Sequence, residues 1–517
     1  MSRFETCILF ERRCCHMLGY WRPHADYQQF VRNRLEGNFR YDPGSLREYE
    51  ALISKLWIMN TDLFYGTMLP CYSPVGRPSL HQPEILRVCL AMTHLTIPMK
   101  YWVSTLENNF VLRTVCSLRY SEIPPTGTFY DFISRIINLD ERPKEKVRRK
   151  PKAKDKPKKG EKLPPKNPGV TARLVKAIKK GRRLNHRPER ILQEIFAVIV
   201  NQSVRLGLVG KTLSVSGDGT CMPTGASSRG KRICKCKDSG AYQCDCKRKF
   251  SDPNATWGYD SHNDVFFYGY TGYFLSTYNS ELKIDLPVYL RLVSGNRHDS
   301  ISAVVALAEF RDLHPELTMD TFMSDSASDN NATYELLDYW GINAVIALNK
   351  GNSDNSWYKG EITVGDNGIP VCPAGHEMAF HGSCIEINRS RYKWRCPRTR
   401  KRDGIKRCDA CNDCSPKAYG RVKYTTFDND LRLHPRIPRH SHEYTLKMNE
   451  RTASERINNT ILNTYGIENS MTRGKKRMSF FTSMAATNIH LDAQVAALAA
   501  KGQFDFNEIF HSALCAA

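Results

Sequence analysis

Apolar residues recur along this chain with two periods. Leu52, Ile53, Leu56 and Trp57, and later Ile85, Leu86, Val88, Leu90 and Ala91, follow the turn of a helix. Glycines and prolines at Gly76, Pro78, Pro124 and Pro125 separate the pieces, which predicts a compact helical block over 46–140. A further amphipathic run, Ile191 to Leu206, predicts a long helix. The period then changes. Leu213 and Val215 alternate with Ser214 and Ser216, a strand pattern that ends at Gly217 with Asp218 at its tip. The aromatic and β-branched runs 266–279 (FFYGYTGYFLSTYN) and 285–293 (DLPVYLRLV) predict adjacent strands of one sheet. A helix is predicted over 301–311. A strand through Thr321, Phe322 and Met323 ends at Asp325. A helix over 331–339 follows, capped by Asp329 and Asn330, and then a strand over 343–349. The order β-β-β-α-β-α-β predicts an α/β core with a mixed sheet. Residues 447–464 and 479–499 predict two more helices.

Two features of that pattern carry chemistry. A carboxylate at the end of a buried strand packs poorly and holds a divalent cation well, because hard cations want oxygen on a rigid support. Asp218 and Asp325 both stand there, and neighbouring strands would let them share a metal pair. Glu455 lies on the helix that returns to the core, with Arg451 four residues earlier on the same face. A surface ion pair explains those two equally simply.

Charge and cysteines extend the picture. Lys plus Arg total 76 against 53 acids, a net charge of +23. This excess suggests a polyanionic partner, nucleic acid first and an anionic membrane second. It is concentrated at Arg142–Lys166 (RPKEKVRRKPKAKDKPKKGEKLPPK), a stretch expected to be disordered and to bind phosphates without reading sequence, within a basic Lys/Pro-rich linker over 141–185. No apolar run reaches the roughly 18 residues of a membrane-spanning helix. The start is broken by Glu5, Glu11, Arg12 and Arg13, unlike a signal peptide. A cytoplasmic protein is expected, its 18 cysteines reduced. Cys234, Cys236, Cys244 and Cys246 form two C-x-C pairs across a short turn and could hold one structural zinc ion, or remain unligated. Cys372, Cys384, Cys396, Cys408, Cys411 and Cys414 lie in 351–440. The last three are spaced C-x-x-C-x-x-C, which suits a zinc ribbon, an iron–sulfur cluster, or a reduced insert. Tyr392 and Trp394 among many cations suit contact with distorted or unpaired DNA. The helical block could present a helix to DNA or serve as a dimerisation scaffold.

In this order the motifs resemble the DDE transposases of bacterial insertion sequences. SGDGT is similar to that family's first Asp motif (Asp218). SDSASDN, followed by WGINAVIALNK, is similar to the second (Asp325), and RTASE to its Arg-x-x-x-Glu (Arg451, Glu455). CDCKRKFSDPNATWGYDS and GNRHDS resemble segments between the two Asp motifs. GRPSLHQPEILRVCLAM with PTGTFYDF resembles the helical domain before such cores, and 351–440 the insertion before the Glu helix. The resemblance covers roughly 45–140 and 200–500. It implies an RNase H-like core over 186–350 and 441–517, after an extension at 1–45 and the helical domain at 46–140. It implies two Mg²⁺ ions, bridged by Asp218 and each held by Asp325 or Glu455, with Arg451 orienting Glu455 or touching a phosphate. The implied activity is cleavage of element ends and their transfer into target double-stranded DNA, by a homodimer in the bacterial cytoplasm at the nucleoid. The related pattern often has Tyr before the Arg and Lys after the Glu. Met448 and Leu462 stand there instead. Two other readings stay open: a degenerate relative that binds DNA without cutting, and a two-metal nuclease without strand transfer.

Overall fold

This computed structural model describes residues 17–36, 44–137, 144–146, 169–184, 190–260, 263–349, 362–364, 369–386, 389–398, 420–426, 431–432, 435–439, 441–469 and 472–515. The strand patterns build a six-stranded sheet: β2 (Thr212–Pro223), β5 (Thr256–Asp260), β6 (Val265–Asn279), β7 (Ile284–Ser294), β8 (Thr318–Ser324) and β9 (Asn343–Ile346). Their order is β5-β6-β2-β8-β9, with β7 also paired to β6. β6 and β7 are the two aromatic runs and pair antiparallel, as do β2 and β6. β8 runs parallel to β2, and β9 parallel to β8. Parallel neighbours need a crossover. Helices α11 (Asp299–Leu313) and α12 (Asn331–Tyr339) supply the two. The expected mixed α/β sheet flanked by helices is therefore present.

The helical period before residue 140 yields α1 (His24–Glu36), α2 (Gly44–Glu48), α3 (Glu50–Ile58), α4 (Tyr65–Met68), α5 (Gln82–His94), α6 (Trp102–Asn108), α7 (Phe110–Val115) and α8 (Thr126–Ile136). Their core begins before residue 46, because Tyr27, Val31 and Leu35 of α1 pack into it. Two long helices belong to both cores. α10 (Arg190–Arg205) turns Leu192, Ile195 and Ile199 to the helical block and Phe196 and Val200 to the sheet. The C-terminal α15 (Lys475–Ala500) divides Phe480, Met484 and Leu491 from Met478, Ala485 and Ala486 in the same way. A helix apolar on more than one side is buried on more than one side. An ionic link runs beside them: the Lys55 ammonium, 2% exposed, lies 2.8 Å from Asp492 and 2.9 Å from His94 Nδ1.

One piece of the stretch expected to be disordered is a strand, β1 (Lys144–Lys146), and beyond that stretch the linker segment forms α9 (Val170–Lys179). The composition changes after Pro168, and Leu174, Val175 and Ile178 pack on Val304 of α11 and Leu336 of α12. In the insertion, β12 (Ala379–Glu386), β13 (Arg389–Arg395) and β14 (Val422–Thr426) form an antiparallel sheet, next to the short pair β10 (Thr363–Val364) and β11 (Pro370–Val371). Trp394, expected at a DNA surface, is packed inside with Ile362, Cys372 and Met378, and its indole donates to Thr425 Oγ1 at 2.9 Å. Cys408, Cys411 and Cys414 lie outside the described residues.

After the insertion, the helical stretch returns as α13 (His442–Glu450) and α14 (Thr452–Asn459), interrupted at Arg451. The return is fastened by a buried ion pair. Asn330 alone caps α12, accepting from the Thr333 N–H, so the expected capping role of Asp329 is corrected. Asp329 turns inward instead and accepts from Arg432 Nε (2.7 Å) and Nη2 (2.6 Å) and from the Asn349 N–H (2.8 Å). Removing one partner leaves a buried charge uncompensated, at a cost of about 3–5 kcal/mol. Arg432→Leu is therefore expected to lower the urea midpoint of unfolding, read by tryptophan fluorescence. An unchanged midpoint would show that the pair contributes nothing.

Candidate functional site

The parallel pairing of β2 with β8 places Gly217 opposite Ser324. The next residue of each chain is an aspartate, so Asp218 and Asp325 leave adjacent strands at one level. Asp218 does not end its strand, as the sequence pattern suggested. β2 continues to Pro223, paired there with β6 alone, and Asp218 stands opposite Phe274. β8 is the strand that stops. Its Ser324 hydroxyl donates to Ser328 Oγ at 2.8 Å, and the Asp325 carboxylate accepts from the Ala327 N–H at 3.0 Å.

A third carboxylate comes close enough to act on both aspartates through its charge, from the other face of β2. His298 caps α11, and Asp299 follows in its first turn. Side chains alternate along a strand. Asp218 faces α14, where Asn458 Nδ2 donates to its Oδ2 at 2.8 Å, while Gly219 faces α11. A Cβ on Gly219 would lie 2.6 Å from Asp299 Oδ1, so only glycine admits the aspartate here. Tyr273 of β6 pairs with Gly219 and buries its hydroxyl near these acids. Asn458 Oδ1 and Arg451 Nε are buried with no hydrogen-bond partner among the described residues.

Burial and crowding of like charges set the electrostatics. The Asp218 carboxyl is pushed up to about 7, first by burial and then by Asp325 and Asp299, with Arg451 opposing. Asp299 rises to about 6 through burial and Asp325, with His298 opposing. The Tyr273 hydroxyl is raised well above its ordinary value by burial and then by the charges of Asp299, Asp218 and Asp325. Such a site favours protons or a cation beside its oxygens.

Glu455 is placed differently. Its side chain is 52% exposed and pairs with Arg451 at 2.7 Å. Arg451 lies between, pairing with Glu455 while its charge acts on Asp218. Met448 packs against Met323, Val345 and Ile437, and Leu462 against the sheet, so both serve as apolar filling. The sequence reading missed Asp299 and Asn458. An acid in the first turn of a helix is ordinary, because it complements the helix dipole, and nothing in GNRHDS marks it as more.

The closest gathering of ligating atoms is elsewhere. Cys234, Cys236, Cys244 and Cys246 bring four sulfurs within 4.8 Å of one another, the one such group of three or more ligating residues among the described residues. The aspartates stand further apart. Cys234 Sγ lies 3.4 Å from Cys244 Sγ, and Cys236 Sγ lies 3.5 Å from Cys246 Sγ. The Cys234 thiol is lowered to about 7, chiefly by the backbone N–H of Cys236, while Cys236 is held up to about 12 by its hydrogen bond with Cys246. Cys372 and Cys396 join no comparable group among the described residues. No protein-family model matches this sequence, and no curated protein matches it.

The raised carboxyls link stability to pH. Folding favours the protonated form of Asp218, so its contribution is complete below the ordinary value of 3.8 and is lost as pH rises through about 7. Each pK unit is worth about 1.4 kcal/mol. Metal-free Asp218→Asn is expected to match wild type at pH 4 and to be more stable at pH 8 by on the order of a few kcal/mol, seen as a higher melting temperature. Thermal melts across that range test it, and parallel pH profiles would show the carboxyl to be unperturbed.

Proposed function

We propose that this chain is a transposase, a DNA phosphoryl-transfer enzyme with an RNase H-like core that binds the ends of a mobile element as a homodimer, cuts them and joins them to target duplex. The observation that carries this reading is the register of β2 with β8, which sets Asp218 beside Asp325 where one strand stops and the other continues. The net charge of +23 suits a polyanionic substrate.

The donor set fits hard divalent cations. Carboxylate oxygens suit Mg²⁺, and the buried Asn458 Oδ1 lies beside Asp218 with no partner among the described residues. Asp218 and Asp325 would hold the ions, with Glu455 completing the DDE set and Asp299 adding a fourth acid. Bound as a pair, Mg²⁺ ions would activate a water or 3′-hydroxyl and stabilise the leaving oxygen. The chain's own groups prepare the site. Asn458 fixes the rotamer of Asp218, and the cradle at Gly219 brings Asp299 against the strand. Arg451 restrains Glu455 in the DNA-free protein. A DNA phosphate competing for its guanidinium would release Glu455 towards the metals. The four thiols of the Cys234–Cys246 turn suit a structural zinc ion. Met448 and Leu462, as packing residues, favour the rival reading of a relative that binds DNA without cutting.

Cleavage of the element's end DNA with Mg²⁺ or Mn²⁺ separates these readings. Wild type is expected to cut and to transfer a labelled 3′ end into a plasmid. Asp218→Ala, Asp325→Ala and Glu455→Ala should bind the DNA but cut at least about 100-fold more slowly. Asp299→Asn should cut more slowly and require more metal. Undiminished cutting by the Asp218 and Asp325 variants sinks the catalytic reading. Cutting without transfer points to a nuclease.

A further inference from the structure

Between β2 and β5 the chain leaves the sheet and returns, and the base of this excursion is rigid. Asp252, 1% exposed, accepts from Thr224 Oγ1 (2.7 Å), the Tyr270 hydroxyl (2.5 Å) and the Gly474 N–H (2.9 Å). Arg473 Nε donates to the carbonyl of Gly225 at 3.1 Å. The Phe250 ring is buried over Gly230, whose φ of +66° and close ring atoms leave no room for a side chain. The tip is the opposite. No side chain from Ile233 to Lys247 is buried. Its backbone-to-backbone bonds are turn bonds, such as the Ala241 N–H to the Cys236 carbonyl at 2.8 Å, and Arg232 Nη2 of the arm donates to the Tyr242 carbonyl at 2.7 Å. A tip without an apolar interior needs another source of folding energy, and small units of this kind take it from a metal or a disulfide.

Its interior is sulfur. The sulfur pairs at 3.4 and 3.5 Å are too far apart for a bond of about 2.05 Å. They are close to the roughly 3.8 Å edge of a tetrahedron with zinc–sulfur bonds of about 2.3 Å. Four thiols within one 4.8 Å group match a closed structural site.

The arms of the turn are β3 (Lys231–Arg232) and β4 (Arg248–Phe250), and the linker strand β1 adds to β4 in the order β1-β4-β3. The register sets Lys231 opposite Lys249 and Arg232 opposite Arg248 between β3 and β4, while from the other side β1 sets Lys146 opposite Arg248 and Glu145 opposite Lys249. Like charges directly opposite across strands destabilise a sheet unless an anion lies over them. From Arg229 to Lys249 there are eight Lys or Arg and two Asp. Arg232 Nη1 and Arg248 Nε are buried without a hydrogen-bond partner among the described residues. The sheet adjoins the basic start of α15 through Arg473 and leaves β2 at Pro223, about 17 Å of strand beyond Asp218.

We infer that Cys234, Cys236, Cys244 and Cys246 bind one zinc ion that folds this turn, and that the three-stranded sheet it holds grips the phosphate backbone of the duplex, with the basic linker docked through β1. On zinc binding the thiols release their protons to solvent. The inference rests on the proposed action on DNA, and adds where the duplex is held outside the carboxylates.

The test uses the full chain purified with zinc. Zinc is measured by release with a thiol reagent into a chromogenic chelator, and duplex binding by fluorescence anisotropy at about 50–200 mM salt. Cys234→Ser with Cys244→Ser should carry one zinc fewer per chain. Lys231→Gln with Lys249→Gln should keep its zinc and melt no lower than wild type, since it relieves a like-charge pair. Both should bind duplex more weakly, and the lysine variant should show a salt slope shallower by about 1.8, two phosphate contacts at about 0.9 each. Equal zinc in the cysteine variant and wild type would overturn the metal site. An unchanged slope in the lysine variant would overturn the contact surface, as would binding confined to single strands or RNA. Cleavage by wild type separates the two levels. A chain that binds through this sheet but never cuts upholds the inference and sinks the transposase reading, whereas intact cutting with an unchanged slope does the reverse.

Discussion

The parallel contact between β2 and β8 is the constraint on which the site depends. Parallel neighbours in register carry equivalent residues to the same level, so an aspartate after Gly217 and another after Ser324 must meet. Meeting in a half-buried place is unfavourable for two negative charges, and Asp299 increases the conflict. The surrounding structure over-determines the arrangement: Asp325 is tied to the Ala327 N–H, Asp218 to Asn458, and Asp299 to the start of α11. Strain of this kind persists only where a framework holds it, and it is common where a cation or substrate is to be bound.

That framework reaches far along the sequence. α14, which supplies Asn458 and Arg451, returns to the sheet after the long insertion and is preceded by the buried Asp329–Arg432 pair. Beneath it, α10 and α15 each divide their apolar residues between the helical block and the sheet. The two cores thus share helices, and a displacement in one is transmitted to the other through close packing.

The cysteine turn shows a different economy. Its base is held by hydrogen bonds and by Phe250, while its tip buries no side chain. Charge on its arms works against the isolated hairpin, since Lys231 faces Lys249 and Arg232 faces Arg248 across the β3–β4 pair. Sequence that opposes local stability in this way is expected at surfaces that meet a partner.

The sequence by itself determined the elements. Alternation marked β2, the aromatic runs marked β6 and β7, and helical periodicity marked α10, α11, α12 and α15, because burial on one face writes its period into the chain. It also singled out Asp218, Asp325 and the four clustered cysteines, since their spacing is local. Only the tertiary structure decided what came between the elements. It showed Asp218 in mid-strand, because the end that matters belongs to β8. It brought in Asp299 and Asn458, whose residue types are unremarkable at the start or side of a helix. It left Glu455 at the surface on Arg451, and it put Trp394 inside. Those outcomes turn on which strands pair and which faces meet, and contacts between residues tens to hundreds of positions apart leave no period in a single sequence.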